Sequence, residues 1–194
     1  MKRQSSTTHR NVLTLVLKNS LAWFTIHMGV AWLITRLPMT LFHPEGWLFR
    51  SRKWENNGQW YNRVGVSQWK NSLPDGATWL IGGFPKKRLR AEAPDYVQRF
   101  VRETCRGELV HWVVIALTPV FLLWNSFSSF LIMIAYALIS NMPCIIAQRY
   151  NRPRLQSLLK RLQKSRSSVS AENRSGASSG DQTIHPLAPS EERQ

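Results

Sequence analysis

The stretch ETCRGELVHW, residues 103–112, places two carboxylates and a histidine directly before the apolar run VVIALTPVFLLW. Ionisable residues at the edge of a membrane-like segment are candidates for function, because burying them there is costly. Glu108 and His111 are three residues apart, so their side chains project within about 60° of each other on a helix. Histidine titrates near neutrality and suits a general base. A neighbouring carboxylate can orient the imidazole and stabilise its protonated form, so the spacing predicts an acid–base pair.

The residues alone leave three alternatives to this pair. In the first, His111 and Trp112 anchor the chain at a membrane interface, and Glu108 caps a helix or pairs with an arginine. In the second, Cys105 is an acyl-carrying nucleophile. Six residues of continuous helix turn about 600° and would separate Cys105 from His111, unless Gly107 breaks the helix. In the third, Glu-x-x-His is half of a metal site, but the other histidines are isolated and no metal is predicted.

The charge balance and the tryptophans indicate a membrane surface as the partner. The chain has 194 residues, with 26 Lys and Arg against 11 Asp and Glu, and its net charge is +15. Such a balance favours nucleic acid, anionic lipid or an anionic cofactor. The nine tryptophans lie mostly beside or between apolar runs, as in an interfacial aromatic belt. Because no nucleic-acid-binding motif is present, the composition favours lipid and argues against nucleic acid.

The apolar segments predict an all-α integral membrane protein. Its parts are an N-terminal anchor helix, an interfacial amphipathic helix, a C-terminal transmembrane helical hairpin and a disordered tail. Because both outer ends of the hairpin are basic, the polar section and the tail are predicted to be cytoplasmic, in the cell membrane. The predicted segments are a polar basic N-terminus (1–11), a membrane anchor (12–35), a Trp-rich polar or interfacial section with the amphipathic helix (36–107), the hairpin (108–147), a basic amphipathic segment (148–164) and a Ser-rich tail (165–194).

Two stretches carry an apolar stripe at helical spacing. The first is predicted to lie on the membrane surface and to end at Gly107. Its stripe is Val97, Phe100, Val101 and Thr104. The second is predicted to bind anionic lipid head groups. Its stripe is Leu155, Leu158, Leu159 and Leu162. Between them, residues 109–124 give only about 24 Å of helix, so the hairpin is predicted to dip into one leaflet or to thin the bilayer.

A cluster of arginines follows the second apolar segment. Arg149, Arg152 and Arg154 are interleaved with Asn151 and Pro153. Closely spaced guanidinium groups bind phosphates in a bidentate way. Pro153 is predicted to disfavour a helical conformation at Arg152. The pattern is equally compatible with ordinary anchoring of a membrane span by basic residues.

Two blocks of the sequence carry a resemblance to a known family. One is ETCRGELVHW followed by the hairpin and IIAQRYNRPRLQSLL, and the other is RKWENNGQWYNRVGVSQWKNSLPDG, residues 52–76. Together they resemble the glycosyl-4,4'-diaponeurosporenoate acyltransferases, membrane enzymes associated with the final step of staphyloxanthin biosynthesis. The resemblance covers residues 12–163, and its specific strings are E-L-x-H-W and Q-R-Y-N-R-P-R-L. The chain departs from the family in its Ser-rich tail, at Cys105 and in residues 77–91.

The resemblance implies transfer of a fatty acyl group to the glucose of a glycosylated C30 carotenoid acid. It implies Glu108 and His111 as catalytic residues. Its implied substrate-binding residues are Arg149, Asn151, Arg152, Arg154, Trp54, Glu55, Trp69 and Lys70. No bound cofactor is expected, and the donor would be acyl-CoA or another acyl carrier. Expected partners are membrane lipid, the carotenoid glycoside and other carotenoid-pathway enzymes. The alternative function is a non-catalytic membrane adaptor that binds anionic lipid or a biosynthetic partner enzyme.

Overall fold

The computed structural model describes residues 2–73 and 94–179, with side chains described from residue 11 to residue 73 and from residue 94 to residue 168. Over these residues the backbone forms helices and turns and no strand, which confirms the predicted helical class there. The α-helices are α1 (Lys2–Thr35), α2 (Val66–Trp69), α3 (Pro94–Ala116) and α4 (Phe127–Ser179). The 3₁₀-helices are Met39–Leu41, Lys53–Gly58, Trp60–Val64, Lys70–Ser72 and Thr118–Leu123.

The core lies between α1, α3 and α4. Helices α3 and α4 are antiparallel, because Thr104 contacts Arg152 while His111 contacts Asn141. Helix α1 packs against both with a buried apolar set, which comprises Trp23, Val30, Ile34, Phe42, Phe49, Cys105, Val114, Phe121, Phe130 and Ala137. Large apolar side chains also remain exposed on the outer faces of α1 and α4. Extensive exposed apolar surface of this kind is typical of a protein that contacts lipid or another apolar partner.

Helix α3 continues through Gly107, so the prediction that a helix ends there is wrong. A glycine inside a helix costs about 1 kcal/mol relative to alanine. Side chains on both sides of Gly107 are fully buried, including Cys105 and Glu108, and their contacts outweigh that local preference. The helix ends instead at Ala116, and the 3₁₀-helix Thr118–Leu123, with Pro119 in its first turn, leads towards α4.

The two predicted apolar stripes pack against each other. Val97, Phe100 and Val101 of α3 form a cluster with Leu155 of α4 and the leucines that follow it. The stripe of residues 94–107, which the sequence predicts to face a membrane surface, is therefore covered by α4. Pairing two amphipathic faces removes apolar area from water, worth about 25 cal/mol per Å². The periodicity was a correct sign of burial but did not identify the burying partner.

Helix α4 includes both Pro143 and Pro153. The prediction that Pro153 disfavours helix at Arg152 is wrong, since Arg152 is helical and its side chain is held by several hydrogen bonds. Tertiary contacts of that number outweigh the local bias against helix before a proline. The helix also continues to Ser179, into the segment that the composition predicts to be disordered, while residues 180–194 lie outside the described part.

Two helical stretches are long and apolar enough to cross a membrane, by length and composition: Pro94–Leu123 and Phe127–Ser168. These hold the two apolar segments that the sequence assigns to the hairpin. Helix α1 is not among them in the described residues, because Lys18, Asn19 and His27 interrupt its apolar run. The membrane anchor at 12–35 stays a prediction.

A pair of asparagines joins α1 to the turn between α3 and α4. Asn19 Nδ2 donates to Asn125 Oδ1, and Asn125 Nδ2 donates to Asn19 Oδ1, each at 3.0 Å. Trp124 Nε1 also donates to Asn19 Oδ1, at 2.7 Å. Both asparagines are buried, and Asn125 Nδ2 also donates to the Phe121 carbonyl oxygen at 2.9 Å. Asn125 Oδ1 accepts from Asn19, so that buried oxygen depends on Asn19 for its hydrogen bond.

Substituting Asn19 should expose this dependence. We expect Asn19→Ala to lower the free energy of unfolding by about 1–3 kcal/mol, because Asn125 Oδ1 loses its donor and Trp124 Nε1 loses its acceptor. Thermal unfolding of the purified protein in detergent measures the change. The control is Asn11→Ala, which removes an exposed asparagine from the same helix. Equal unfolding midpoints for the two variants would show that the pair contributes nothing.

Candidate active site

The centre of the candidate site is the Glu108 carboxylate, whose residue is 0% exposed. Arg149 Nε donates to its Oε1 at 2.7 Å, and Arg152 Nη2 donates to its Oε2 at 2.6 Å. Trp112 Nε1 also donates to Oε1, at 3.2 Å. Charged and polar donors thus take the place of water around this buried carboxylate.

Arg149 links Glu108 to a second buried carboxylate. Its Nη1 donates to Glu55 Oε1 at 2.6 Å, and its Nη2 donates to the Leu48 carbonyl oxygen at 2.8 Å. Glu55 also accepts hydrogen bonds from the Tyr61 hydroxyl and from the backbone N–H of Arg52. The arginine of α4 therefore ties α3 to the polar section around residues 48–61.

Arg152 is buried as deeply as the carboxylates, with 2% of its surface exposed. Its Nε donates to Thr104 Oγ1 at 2.9 Å, and its Nη2 donates to the Thr104 carbonyl oxygen at 3.1 Å as well as to Glu108. Its Nη1 donates to the Phe49 carbonyl oxygen. Two carboxylates and two guanidinium groups thus form one network with no net charge, composed of Glu55, Glu108, Arg149 and Arg152.

The 3₁₀-helix Lys53–Gly58 places Glu55 in this network. Glu55 stands at its third position and caps the backbone N–H of Arg52. The chain then turns through Asn56 and Asn57, both with positive φ, and through Gly58 with φ +82°. A Cβ on Gly58 would lie 3.1 Å from Arg154 Nη1, so glycine permits both the turn and the close approach to α4. The three successive positive φ values explain why Glu55 is followed by two asparagines and a glycine.

Hydrogen bonds set the charge states of Glu55 and Tyr61. Burial alone would raise the pKa of Glu55, but the hydrogen bonds from Tyr61, Arg149 and the Arg52 backbone together lower it below its usual value. Burial and the hydrogen bond to the Glu55 carboxylate raise the pKa of Tyr61. Glu55 is therefore ionised and Tyr61 is a neutral donor over the physiological range.

His111 lies one helical turn beyond Glu108 and is half-buried. Its Nδ1 is 2.8 Å from Asn141 Oδ1 on α4. Asn141 is fully buried, and its Nδ2 donates to the Ala137 carbonyl oxygen and to Ser140 Oγ, at 2.9 and 3.0 Å. Because this orientation leaves Oδ1 to accept from His111, the proton belongs on Nδ1 and the lone pair of the neutral imidazole on Nε2.

The predicted pairing of Glu108 with His111 stays a prediction. The hydrogen bonds that the structure assigns to Glu108 come from Arg149, Arg152 and Trp112. Glu108 and His111 were identified from the sequence, whereas Asn141 was missed and Thr104 was assigned only to an apolar stripe. Asn141 gave one signal, since an asparagine inside an apolar span is itself a polar candidate.

The other predicted site residues form two separate groups. In the first, Lys70 Nζ donates to Asn151 Oδ1 at 2.9 Å, and the Arg154 guanidinium stacks 3.5 Å from the centre of the Tyr150 ring. In the second, Trp54 is 57% exposed and meets Trp60 edge to face. Trp69 belongs with the first group, since it packs against the cluster that contains Tyr150, and its Nε1 donates to the Val64 carbonyl oxygen.

The structure also bears on the two alternative chemistries, an acyl-carrying Cys105 and a metal site. Cys105 is fully buried and its Sγ contacts the Val101 carbonyl oxygen at 3.6 Å, so an acyl group on that sulfur would have no room. Over residues 2–73 and 94–179, the structure brings together no group of three metal-ligating side chains of the His, Cys, Asp and Glu types.

The fold and the site define a helical protein with apolar helices of membrane-spanning length and a buried glutamate–arginine network beside a histidine. The sequence model of the family glycosyl-4,4'-diaponeurosporenoate acyltransferase matches residues 44–161. That range contains the whole network. The chain therefore belongs to the glycosyl-4,4'-diaponeurosporenoate acyltransferase family, which confirms the resemblance carried by the two sequence blocks.

Curated relatives carry the same name. A glycosyl-4,4'-diaponeurosporenoate acyltransferase of Staphylococcus aureus strain N315 is 35% identical over 148 residues, covering 75% of this chain and 88% of the relative. Those of strains bovine RF122 / ET3-1 and USA300 are 34% identical over 146 residues, with the same coverage of both chains. No solved structure matches this chain.

Removing the charge of Glu108 should destabilise the fold. We expect Glu108→Gln to lower the free energy of unfolding by about 3–5 kcal/mol, because two buried guanidinium groups lose their shared carboxylate. Denaturant unfolding in detergent micelles measures the loss. The control is Glu45→Gln, an exposed carboxylate that contacts Gln156, for which we expect a change within about 0.5 kcal/mol. Equal losses of unfolding free energy in the two variants would show that the Glu108 network does not stabilise the fold.

The lowered pKa of Glu55 predicts acid sensitivity. Its stabilising contribution is fully present above its unfolded-state pKa, about 4.5, and is lost as the pH falls through the lower folded-state pKa. We expect the thermal midpoint of the wild type to fall on acidification below about pH 4.5. Glu55→Gln should be less stable than wild type at neutral pH and should show a shallower acid dependence. Parallel curves for the two proteins would contradict the assignment.

Proposed function

We propose that this protein is a membrane acyltransferase that esterifies a sugar hydroxyl of glycosyl-4,4'-diaponeurosporenoate with a fatty acyl group. The observation that carries the proposal is the family match over residues 44–161, whose range includes His111 and its hydrogen-bonded Asn141. The acceptor is proposed because the curated relatives bear it in their name. The two apolar helices support a place in the cell membrane.

His111 would serve as the general base. With Nδ1 held by Asn141, Nε2 can take the proton of a sugar hydroxyl. The hydroxyl oxygen then forms a bond to the carbonyl carbon of the acyl donor. As that tetrahedral intermediate collapses, the bond from the carbonyl carbon to the leaving group breaks, and the proton on Nε2 passes to the leaving group.

The position of His111 suits two amphiphilic substrates. On the N-terminal side of His111, Glu108 belongs to the glutamate–arginine network and Thr104 contacts it through Arg152. The residues on the C-terminal side form the apolar run up to Trp124. A sugar head and an acyl chain would meet at this transition. The cytoplasmic placement of the polar section, proposed from the basic flanks of the hairpin, makes cytosolic acyl donors accessible.

Glu108 would then act as a positioning residue for His111. It fixes α3 against α4 through Arg149 and Arg152, and the same two helices carry His111 and Asn141. Correct placement of a base matters because a displacement of about 1 Å can cost about 100-fold in rate. The exposed pair Trp54 and Trp60 offers flat aromatic faces for a sugar ring.

Substituting His111 tests the catalytic role. We expect His111→Ala to lower kcat by about 10²–10⁴-fold, since general-base catalysis contributes that much. We expect Asn141→Ala to lower kcat less, with KM little changed. The measurement is acyl transfer from radiolabelled acyl-CoA to glycosyl-4,4'-diaponeurosporenoate by membranes that contain each variant. Equal yields of inserted protein and equal thermal midpoints are the controls.

A comparison of cellular lipids separates the enzyme from its rival, a non-catalytic membrane adaptor. Cells that lack the gene should accumulate a glycosylated lipid lighter by one fatty acyl unit, and wild type but not His111→Ala should restore the acylated product. Mass spectrometry of extracted lipids identifies the accumulated species and hence the acceptor. Restoration of the product by His111→Ala would favour the adaptor, which needs no general base.

A further inference from the structure

A cationic groove lies on the polar side of the molecule, apart from the glutamate–arginine network. It has a volume of about 220 Å³ and is lined by residues of α3, of α4 and of the segment after α1. Arg102 of α3 and Lys160 of α4 supply its cations, and His43 also lines it. Val101 and Leu159 are apolar lining residues. A lining that combines cations with apolar side chains suits a ligand with phosphates and a carbon skeleton.

Two of the arginines that were predicted from the sequence to bind phosphate already bind groups of the protein itself. Arg149 and Arg152 donate to buried carboxylates and backbone carbonyl oxygens. By contrast, in residues 2–73 and 94–179 neither Arg102 nor Lys160 forms an ion pair with a carboxylate. The groove therefore holds cations whose charge the described part of the chain does not neutralise.

We propose that this groove binds the phosphate end of an acyl-coenzyme A donor. The inference rests on the proposed acyltransferase function, since it names where that reaction's donor is held. A volume of 220 Å³ is below the roughly 300–1,000 Å³ of sites that enclose a drug-sized ligand. The groove thus accommodates one end of the donor, and the rest of the molecule extends along the protein surface.

The distance to His111 favours coenzyme A over a phospholipid as the source of the phosphate. Arg102 and His111 are nine residues apart on α3, which is about 14 Å along the helix axis and about half a turn around it. In a phospholipid only the glycerol unit separates the phosphate from the ester carbonyls. In an acyl-coenzyme A the long pantetheine arm separates the phosphates from the thioester, and that arm can cover the distance.

Calorimetric titration of the purified full-length protein with coenzyme A tests the proposal. We expect the double variant R102Q/K160Q to bind coenzyme A about ten- to a hundredfold more weakly than wild type, because two charge-assisted contacts are lost. The matched control is R161Q/K164Q, which removes the same charge from exposed positions of α4 outside the groove. Its affinity should remain within about twofold of wild type, because exposed charges that do not line the groove are screened by solvent.

Two further results would overturn the proposal. If both double variants weaken coenzyme A equally, the effect is general attraction by a basic surface. If R102Q/K160Q reduces binding to phosphatidylglycerol vesicles and leaves coenzyme A binding unchanged, the groove is a lipid head-group site. Thermal midpoints of all variants verify that they are folded.

Kinetics distinguish failure of this inference from failure of the acyltransferase function. If the enzyme is active and its KM for acyl-coenzyme A is unchanged in R102Q/K160Q, the acyltransferase function stands and the groove is not the donor site. If the protein binds coenzyme A through the groove but does not acylate the glycoside, the groove assignment stands and the proposed reaction is wrong.

Discussion

The buried carboxylate of Glu108 is the constraint on which the rest of the site depends. An ionised group without access to water is tolerated only when opposite charges and hydrogen bonds replace its solvation. Here the opposite charges come from α4, through Arg149 and Arg152, and Trp112 of α3 adds a further hydrogen bond. Arg149 then extends the arrangement to Glu55, far away in sequence. Charge pairing of this kind selects one arrangement of three chain segments, since any other leaves a charge unpaired.

Polar groups of this protein lie between the helices and large apolar side chains lie on the outside, which is the arrangement expected of a chain in lipid. Its network lies between helices, while leucine, isoleucine and phenylalanine side chains of α1 and α4 face outward. Polar groups at membrane depth face the interior of a bundle because hydrocarbon offers them no partners. The Asn19–Asn125 pair at the other end of the helices follows the same rule. Polar contacts between helices thus hold both ends of the core.

The features that depend on neighbours in sequence could be predicted, and those that depend on distant partners could not. Helical periodicity located the apolar stripes, and residue type identified Glu108 and His111. The stripes were assigned to a membrane surface because one-dimensional spacing cannot show that Val101 and Leu155 pack together. Likewise, Gly107 and Pro153 were interpreted from local preferences that tertiary contacts outweigh. The pairing of Arg152 with Glu108 links positions 44 residues apart, which no local rule relates.

The wide sequence separation of the network has a consequence for biosynthesis. Synthesis runs from the N-terminus, so the ribosome makes Glu55 and Glu108 before Arg149 and Arg152, which lie 94 and 44 residues further along. Until α4 emerges, both carboxylates lack their cations and must remain hydrated. We therefore expect the network to form only after α4 has been synthesised, as the last step of assembly.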